Sequence, residues 1–116
     1  MRIFVYDDDE ADLKIFRAEV GDLANVQTYT DPSRFILDCN VYKPDLAFTD
    51  LNSPFLTGFD IVKKIDRDVK VCIWTGLSKA YVESRADIIP GVTVLHKDNI
   101  GAELRQLILA QKEAAC

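Results

Sequence analysis

The sequence predicts an α/β fold, one five-stranded parallel sheet with helices on both faces, and three observations predict it. Short, nearly continuous apolar runs alternate five times with stretches of helical spacing within 116 residues. The runs are β-favouring and lack the in-out alternation of a half-exposed strand, so both faces of the sheet should be covered, as in parallel sheets. No Ser/Gly/Pro-rich linker, charge block or repeat interrupts the series, and the length is that of one domain spanning 1–116.

The first strand is Ile3-Phe4-Val5-Tyr6. The acids Asp7 to Glu10 follow, and then Leu13, Phe16 and Val20 recur at helical spacing until Gly21 is placed to end the helix. Val26 to Tyr29 is a second, weaker strand. Asp31-Pro32 reads as an N-cap followed by proline at the first helical position. The helix behind it carries Phe35, Ile36 and Cys39 on one face and must stop near Pro44. Leu46 to Thr49 is the third strand, ending at Asp50. Asn52-Ser53-Pro54 and Thr57-Gly58 punctuate a loop before a short helix from Phe59 to Ile65. Val71 to Trp74 is the fourth strand, Ser78 to Ile89 a helix closed by Pro90-Gly91, and Thr93 to Leu95 the fifth strand. Ile100, Leu104, Leu107 and Ile108 mark a final amphipathic helix, with Asp98 or Asn99 as its cap.

Composition narrows the functional classes. With 14 basic and 19 acidic residues the net charge is −5, so nothing draws the chain to nucleic acid or to anionic lipid. No apolar run approaches the roughly 20 residues that span a bilayer, and the apolar start is too short for a signal peptide. Cys39, Cys72 and Cys116 are odd in number and widely spaced, which argues against a disulfide framework and a cysteine zinc site. Cys72 and Trp74 sit in an apolar run and read as packing residues. A soluble protein of the reducing cytoplasm is expected, without direct nucleic-acid or membrane contact.

Open parallel sheets place their reactive residues at the carboxyl ends of the strands. Here those ends carry Asp7-Asp8-Asp9, Asp50, Thr75 and His96-Lys97. Two carboxylates about 4 Å apart repel by roughly 4 kcal/mol at an effective dielectric near 20. Several gathered together must bind a cation, protonate or spread apart. A hard divalent cation with oxygen ligands is the natural solution, and Mg²⁺ takes a few carboxylates plus waters. An ammonium and a hydroxyl opposite would suit phosphoryl oxygens, so the set suggests metal-assisted phosphoryl transfer onto or near Asp50.

The segments Val5-Tyr6-Asp7-Asp8, Pro44 to Pro54 followed by Gly58, Trp74-Thr75-Gly76, and Lys97 together resemble the receiver domain of two-component response regulators. The resemblance covers essentially the whole chain. It implies the flavodoxin-like strand order 2-1-3-4-5 and makes Asp50 the phospho-acceptor. Asp7 and Asp8, with Asp50 and the Asn52 backbone carbonyl, become the Mg²⁺ ligands. Thr75 would bond a phosphoryl oxygen and Lys97 would pair with phosphorylated Asp50. The implied partners are a sensor histidine kinase or phosphotransfer protein as donor, and a downstream protein docking on the fourth helix, fifth strand and last helix. No enzyme activity is implied beyond self-catalysed phosphotransfer and slow autodephosphorylation, and no output domain is expected within 1–116.

Three positions depart from the usual receiver pattern. Val94 stands where a Tyr or Phe normally couples to the threonine, so an atypical switch is expected. Lys97 is followed by Asp98 rather than proline, which favours a trans bond. Gly76 follows Thr75 where alanine is usual.

Each residue also has a plain structural role open to it. Asp7 to Asp9 could start a helix, Asp50 could be a turn residue, Thr75 a turn hydroxyl, and Lys97 a surface ion-pair member. His96 is one residue off the edge with no obvious partner and reads as a surface or packing histidine. Two further functions compete: a non-phosphorylated pseudo-receiver acting as an interaction module, and an aspartate-nucleophile phosphohydrolase. The second is disfavoured because Asn52 stands where such enzymes carry their acid/base and no cap domain is present.

Overall fold

A computed structural model of the chain describes residues 1–52, 54, 56–77, 79–86 and 92–115. Strands β1 (Arg2–Tyr6), β2 (Asn25–Tyr29), β3 (Leu46–Asp50), β4 (Val71–Thr75) and β5 (Thr93–His96) alternate with helices α1 (Glu10–Val20), α2 (Pro32–Tyr42), α3 (Gly58–Lys64), α4 (Lys79–Ala86) and α5 (Ile100–Ala115). The strands form one all-parallel sheet in the order β2-β1-β3-β4-β5. This is the predicted flavodoxin-like fold class. The predicted end of the fourth helix at Ile89, its closure at Pro90-Gly91, and Ser53, Ser78 and Cys116 lie outside the described residues.

Period-2 alternation divides the strand side chains between two cores. Ile3, Val5, Leu46, Phe48, Cys72, Trp74 and Leu95 pack against Leu13, Phe16 and Val20 of α1 and Leu104 and Ile108 of α5. On the opposite face Phe4, Tyr6, Ala47 and Val71 meet Phe35 and Cys39 of α2 and Ile61 of α3, while Ile73 and Val94 meet Val82 of α4. Helices therefore cover both faces, and the central strands β3 and β4 are buried along their whole length, whereas the edge strand β2 alternates, with Asn25 and Gln27 exposed. The aromatic centre of the first core is Phe16, edge-on to Phe48 at 5.0 Å and to Trp74 at 5.3 Å between ring centroids.

The helix ends follow local chemistry. Asp9 and Asp31 cap α1 and α2, each accepting a backbone N–H two residues on, and Pro32 occupies the first turn of α2 as predicted. Gly21 does end α1, but with φ −62°, so no left-handed turn is involved. The left-handed residue is Lys43, with φ 50°, directly before Pro44. Its ammonium pairs with Asp66 and Asp68, tying the end of α2 to the short link behind α3. The predicted cap of the last helix takes a different form: residues 97–99 make a 3-10 turn that runs into α5, and Asp98 stands inside it. Buried Asp38 lies away from the strand ends and is satisfied by the Tyr29 hydroxyl at 2.8 Å and by Arg34 at 3.1 Å. Among the described residues no helix is long and apolar enough to cross a membrane.

Candidate functional site

Sheet register brings distant acids together. Tyr6 lies opposite Thr49, so Asp7 and Asp50, each one step further on, project from adjacent strand ends, and Asp50 in turn lies opposite Trp74. Asp7 and Asp50 are buried at 1% and 6% exposure, while Asp8 faces solvent. Carboxylate oxygens of Asp7, Asp8 and Asp50 all lie within 4.8 Å of one another.

The acidic run divides its labour. Asp7 accepts the Asp9 backbone N–H at 2.9 Å, and Asp9 accepts that of Ala11 at 2.9 Å. Asp9 thus performs the helix-starting role that the sequence left open for all three acids, while Asp7 and Asp8 turn to the cluster. Asp50 is held from behind by Gly58, whose N–H donates to the Leu51 carbonyl at 2.8 Å. A Cβ on Gly58 would sit 2.7 Å from the Asp50 carbonyl oxygen and 2.9 Å from Leu51 Cα, so only glycine permits this approach of α3 to the end of β3.

Lys97 enters from β5. Its Nζ donates to Asp7 Oδ2 at 2.8 Å and to Asp12 Oδ2 at 2.8 Å, and lies 3.3 Å from Asp50 Oδ1. The same nitrogen stands 4.8 Å from the centroid of the Trp74 ring, a cation–π contact that backs the ammonium beside the cluster. Trp74 is therefore packed in the core, as predicted, and also carries the lysine.

The electrostatics follow from crowding. Burial, with the Asp50 charge adding to it, pushes the Asp7 carboxyl up to about 6 against the pull of Lys97 and the Asp9 N–H. Burial likewise raises Asp50, with Lys97 opposing and Asp8 reinforcing the rise. Burial alone would lower the Lys97 ammonium, but hydrogen bonds to Asp12 and Asp7 and the charge of Asp50 outweigh it and hold the group protonated above its ordinary range. The pocket thus has excess negative charge and one fixed cation.

The remaining predicted residues are nearby but differently engaged. Thr75 ends β4, is 1% exposed, and its hydroxyl accepts the Leu77 N–H at 3.1 Å. By strand parity it starts from the face opposite Trp74, so the structure brings it to the same edge without placing it on Asp50. Asn52 lies exposed two residues past Asp50. Val94 is buried opposite Ile73, and no cis peptide bond occurs among the described residues, the Lys97–Asp98 bond included. His96, expected to lack a partner, has two. Its Nδ1 accepts the Asp98 N–H at 3.1 Å, which leaves the proton on Nε2 to donate to the Gly76 carbonyl at 3.1 Å. Asp12 is the residue that sequence reasoning missed. An acid in the first turn of a helix reads as a dipole partner, and only the fold brings it to a lysine 85 positions away.

The donor set is chemically suited to a hard cation. Three carboxylates from two strand ends, two of them buried and raised, supply hard oxygens on one side with an exposed edge at Asp8 for waters, the arrangement that Mg²⁺ uses.

No protein-family model and no curated protein matches the chain. Solved structures do. The chain is similar to the chemotaxis protein CheY4 of Vibrio cholerae at a TM-score of 0.79 and 16% identity, over 94% of this chain and 96% of that one. It is similar to the receiver domain of the Francisella response regulator 1452 at a TM-score of 0.84 and 16% identity, over 99% and 98% of the two chains. A third likeness is to RcsB of Salmonella enterica serovar Typhimurium, solved bound to promoter DNA. There the TM-score is 0.80 and the identity 18%, over 98% of this chain and 62% of that one. The fold is thus that of CheY-like response-regulator receiver domains.

Proposed function

We propose that this chain is a phospho-acceptor signalling domain in which Asp50 takes a phosphoryl group from a phosphohistidine on a sensor kinase or phosphotransfer protein. The observation that carries the proposal is the convergence of Asp7, Asp8 and Asp50 within 4.8 Å, with Lys97 ion-paired to Asp50 at 3.3 Å. The receiver-domain fold supports it independently.

Asp7, Asp8 and Asp50, joined by the Asn52 backbone carbonyl, would hold Mg²⁺, which neutralises charge as an anionic phosphoryl group nears an anionic nucleophile. An Asp50 carboxylate oxygen attacks phosphorus, the bond from phosphorus to the donor nitrogen breaks, and the electron pair leaves with the imidazole. Lys97, kept charged by its carboxylates, pairs with the phosphoryl oxygens as they arrive. Thr75 gives up the Leu77 N–H and rotates its hydroxyl toward them, carrying the Thr75–Leu77 loop with it. The domain then hydrolyses its own aspartyl phosphate slowly, and it is not otherwise an enzyme. The net charge of −5 fits a cytoplasmic site of action.

The downstream partner docks on the face formed by α4, β5 and α5. Val94 offers no ring to relay the threonine movement there, so the relay is atypical. The His96 bond to the Gly76 carbonyl, which directly follows Thr75, supplies a physical link between the β4 loop and β5.

Incubation with acetyl phosphate and Mg²⁺, read by intact mass, tests the proposal. One added phosphate that is absent without Mg²⁺ and absent in Asp50→Asn is the expected result. An unmodified protein would instead favour an interaction module that works without phosphorylation.

A further inference from the structure

Lys97 has three ammonium protons and no capacity to accept, and three carboxylates surround it: Asp7 and Asp12 at 2.8 Å each and Asp50 at 3.3 Å. Two of the three belong to the carboxylate cluster, whereas Asp12 does not. Asp12 also lies further out, its side chain 28% exposed against 1% for Asp7. Its backbone is fixed in the first turn of α1, which the Asp9 cap starts and Leu13 and Phe16 pin to the sheet. On the remaining side the ammonium is backed by the Trp74 ring.

We infer that Asp12 is a positioning residue for Lys97, a counter-ion outside the metal cluster that keeps the ammonium beside Asp50 when a cation or phosphoryl group takes up the oxygens of Asp7 and Asp50. A cation bound at Asp7 and Asp50 repels the ammonium and competes for its acceptors. Asp12 is left as the anchor, and it holds the nitrogen between the Trp74 ring and the pocket rather than releasing it to solvent. In the cation-free protein the same contact draws the ammonium off the cluster. Without Asp12 the ammonium has one partner fewer, exchanges its protons more readily, and leans on Asp7 and Asp50, where it obstructs the cation. The contact itself rests on geometry alone; its consequence for phosphorylation rests on the function proposed above.

Glu10 provides the control, because it is an exposed acid in the same first turn, and removing it changes net charge equally. In cation-free protein labelled with ¹⁵N-lysine, Lys97 should show an ammonium signal protected from solvent exchange. Asp12→Asn should exchange about tenfold faster, the scale of one charge-assisted hydrogen bond. Glu10→Gln should match the parent protein, and Asp12→Glu should restore part of the protection. Followed by emission of the single tryptophan, Mg²⁺ should bind several-fold more weakly to Asp12→Asn than to Glu10→Gln. Unchanged exchange in Asp12→Asn, or an equal effect from Glu10→Gln, overturns the inference. If the parent protein binds no Mg²⁺, the phospho-acceptor proposal fails, and the exchange measurement still decides the role of Asp12.

Discussion

At the scale of residues, the site holds carboxylates in a place that disfavours their charge. Asp50 is the sharpest case, being buried, raised by that burial, and beside Asp8. Neutral Asn in its place keeps the shape and relieves the repulsion, while Lys97 retains Asp7 and Asp12. Asp50→Asn should therefore raise the thermal midpoint of cation-free protein at pH 7 while abolishing phosphate uptake, and a lower midpoint on differential scanning would refute this. Lys97→Ala should do the opposite, destabilising by about 2–3 kcal/mol in urea titrations because three acids lose their shared partner. Asp7, Asp8, Asp50 and Lys97 were legible in the sequence because strand ends in a parallel sheet share an edge. Asp12 was not, since helical spacing explains an acid there without any distant partner. Nor were the two bonds of His96, which depend on how the 3-10 turn at residues 97–99 folds back on the β4 loop.

At the scale of elements, α3 sets the position of Asp50. Its first residue approaches the end of β3 so closely that Gly58→Ala must move backbone rather than a side chain. The expected loss is about 2 kcal/mol by urea titration, the usual scale of overpacking, together with a slower rate of phosphate uptake. A neutral effect would show that the loop after β3 is free to yield. The strands and helices were legible from periodicity and caps, and the misjudged details have specific causes. Four strands came out one residue short because an end of each carries a polar residue, Arg2, Asn25, Thr75 or His96, which pairs in the sheet although its side chain breaks the apolar run. The left-handed turn after α2 went unseen because a lysine takes it. The neighbouring Pro44 supplied the stop signal, and the ion pairs to Asp66 and Asp68 hold the turn.

At the scale of the molecule, protons compete for the carboxylate cluster at which the proposed function seats a cation. Burial raises the Asp7 carboxyl from 3.8 to about 6, so the folded state binds a proton more tightly than the unfolded one. That contribution to stability is fully present below pH 3.8 and is lost as pH rises through about 6. Cation-free protein should therefore lose stability between about pH 4 and about pH 6.5, by at most about 3 kcal/mol from this group. Added Mg²⁺ selects the ionised form, so its stabilising effect should be larger at pH 7.5 than at pH 5. Thermal unfolding with and without Mg²⁺ across this range checks both signs, and a Mg²⁺ effect independent of pH would mean that the cation binds elsewhere. The net negative charge of the chain was evident from composition. The excess negative charge at one end of the sheet emerged only when the strand order put β1 beside β3.

On the function proposed, the folded chain makes one aspartate a phosphoryl acceptor. The direct measurement is to phosphorylate the protein with acetyl phosphate and Mg²⁺, reduce the acyl phosphate with borohydride, and locate the homoserine by peptide mass spectrometry. The expected result is homoserine at position 50 alone. Homoserine at Asp8 or Asp9 instead, or at no position, would contradict it.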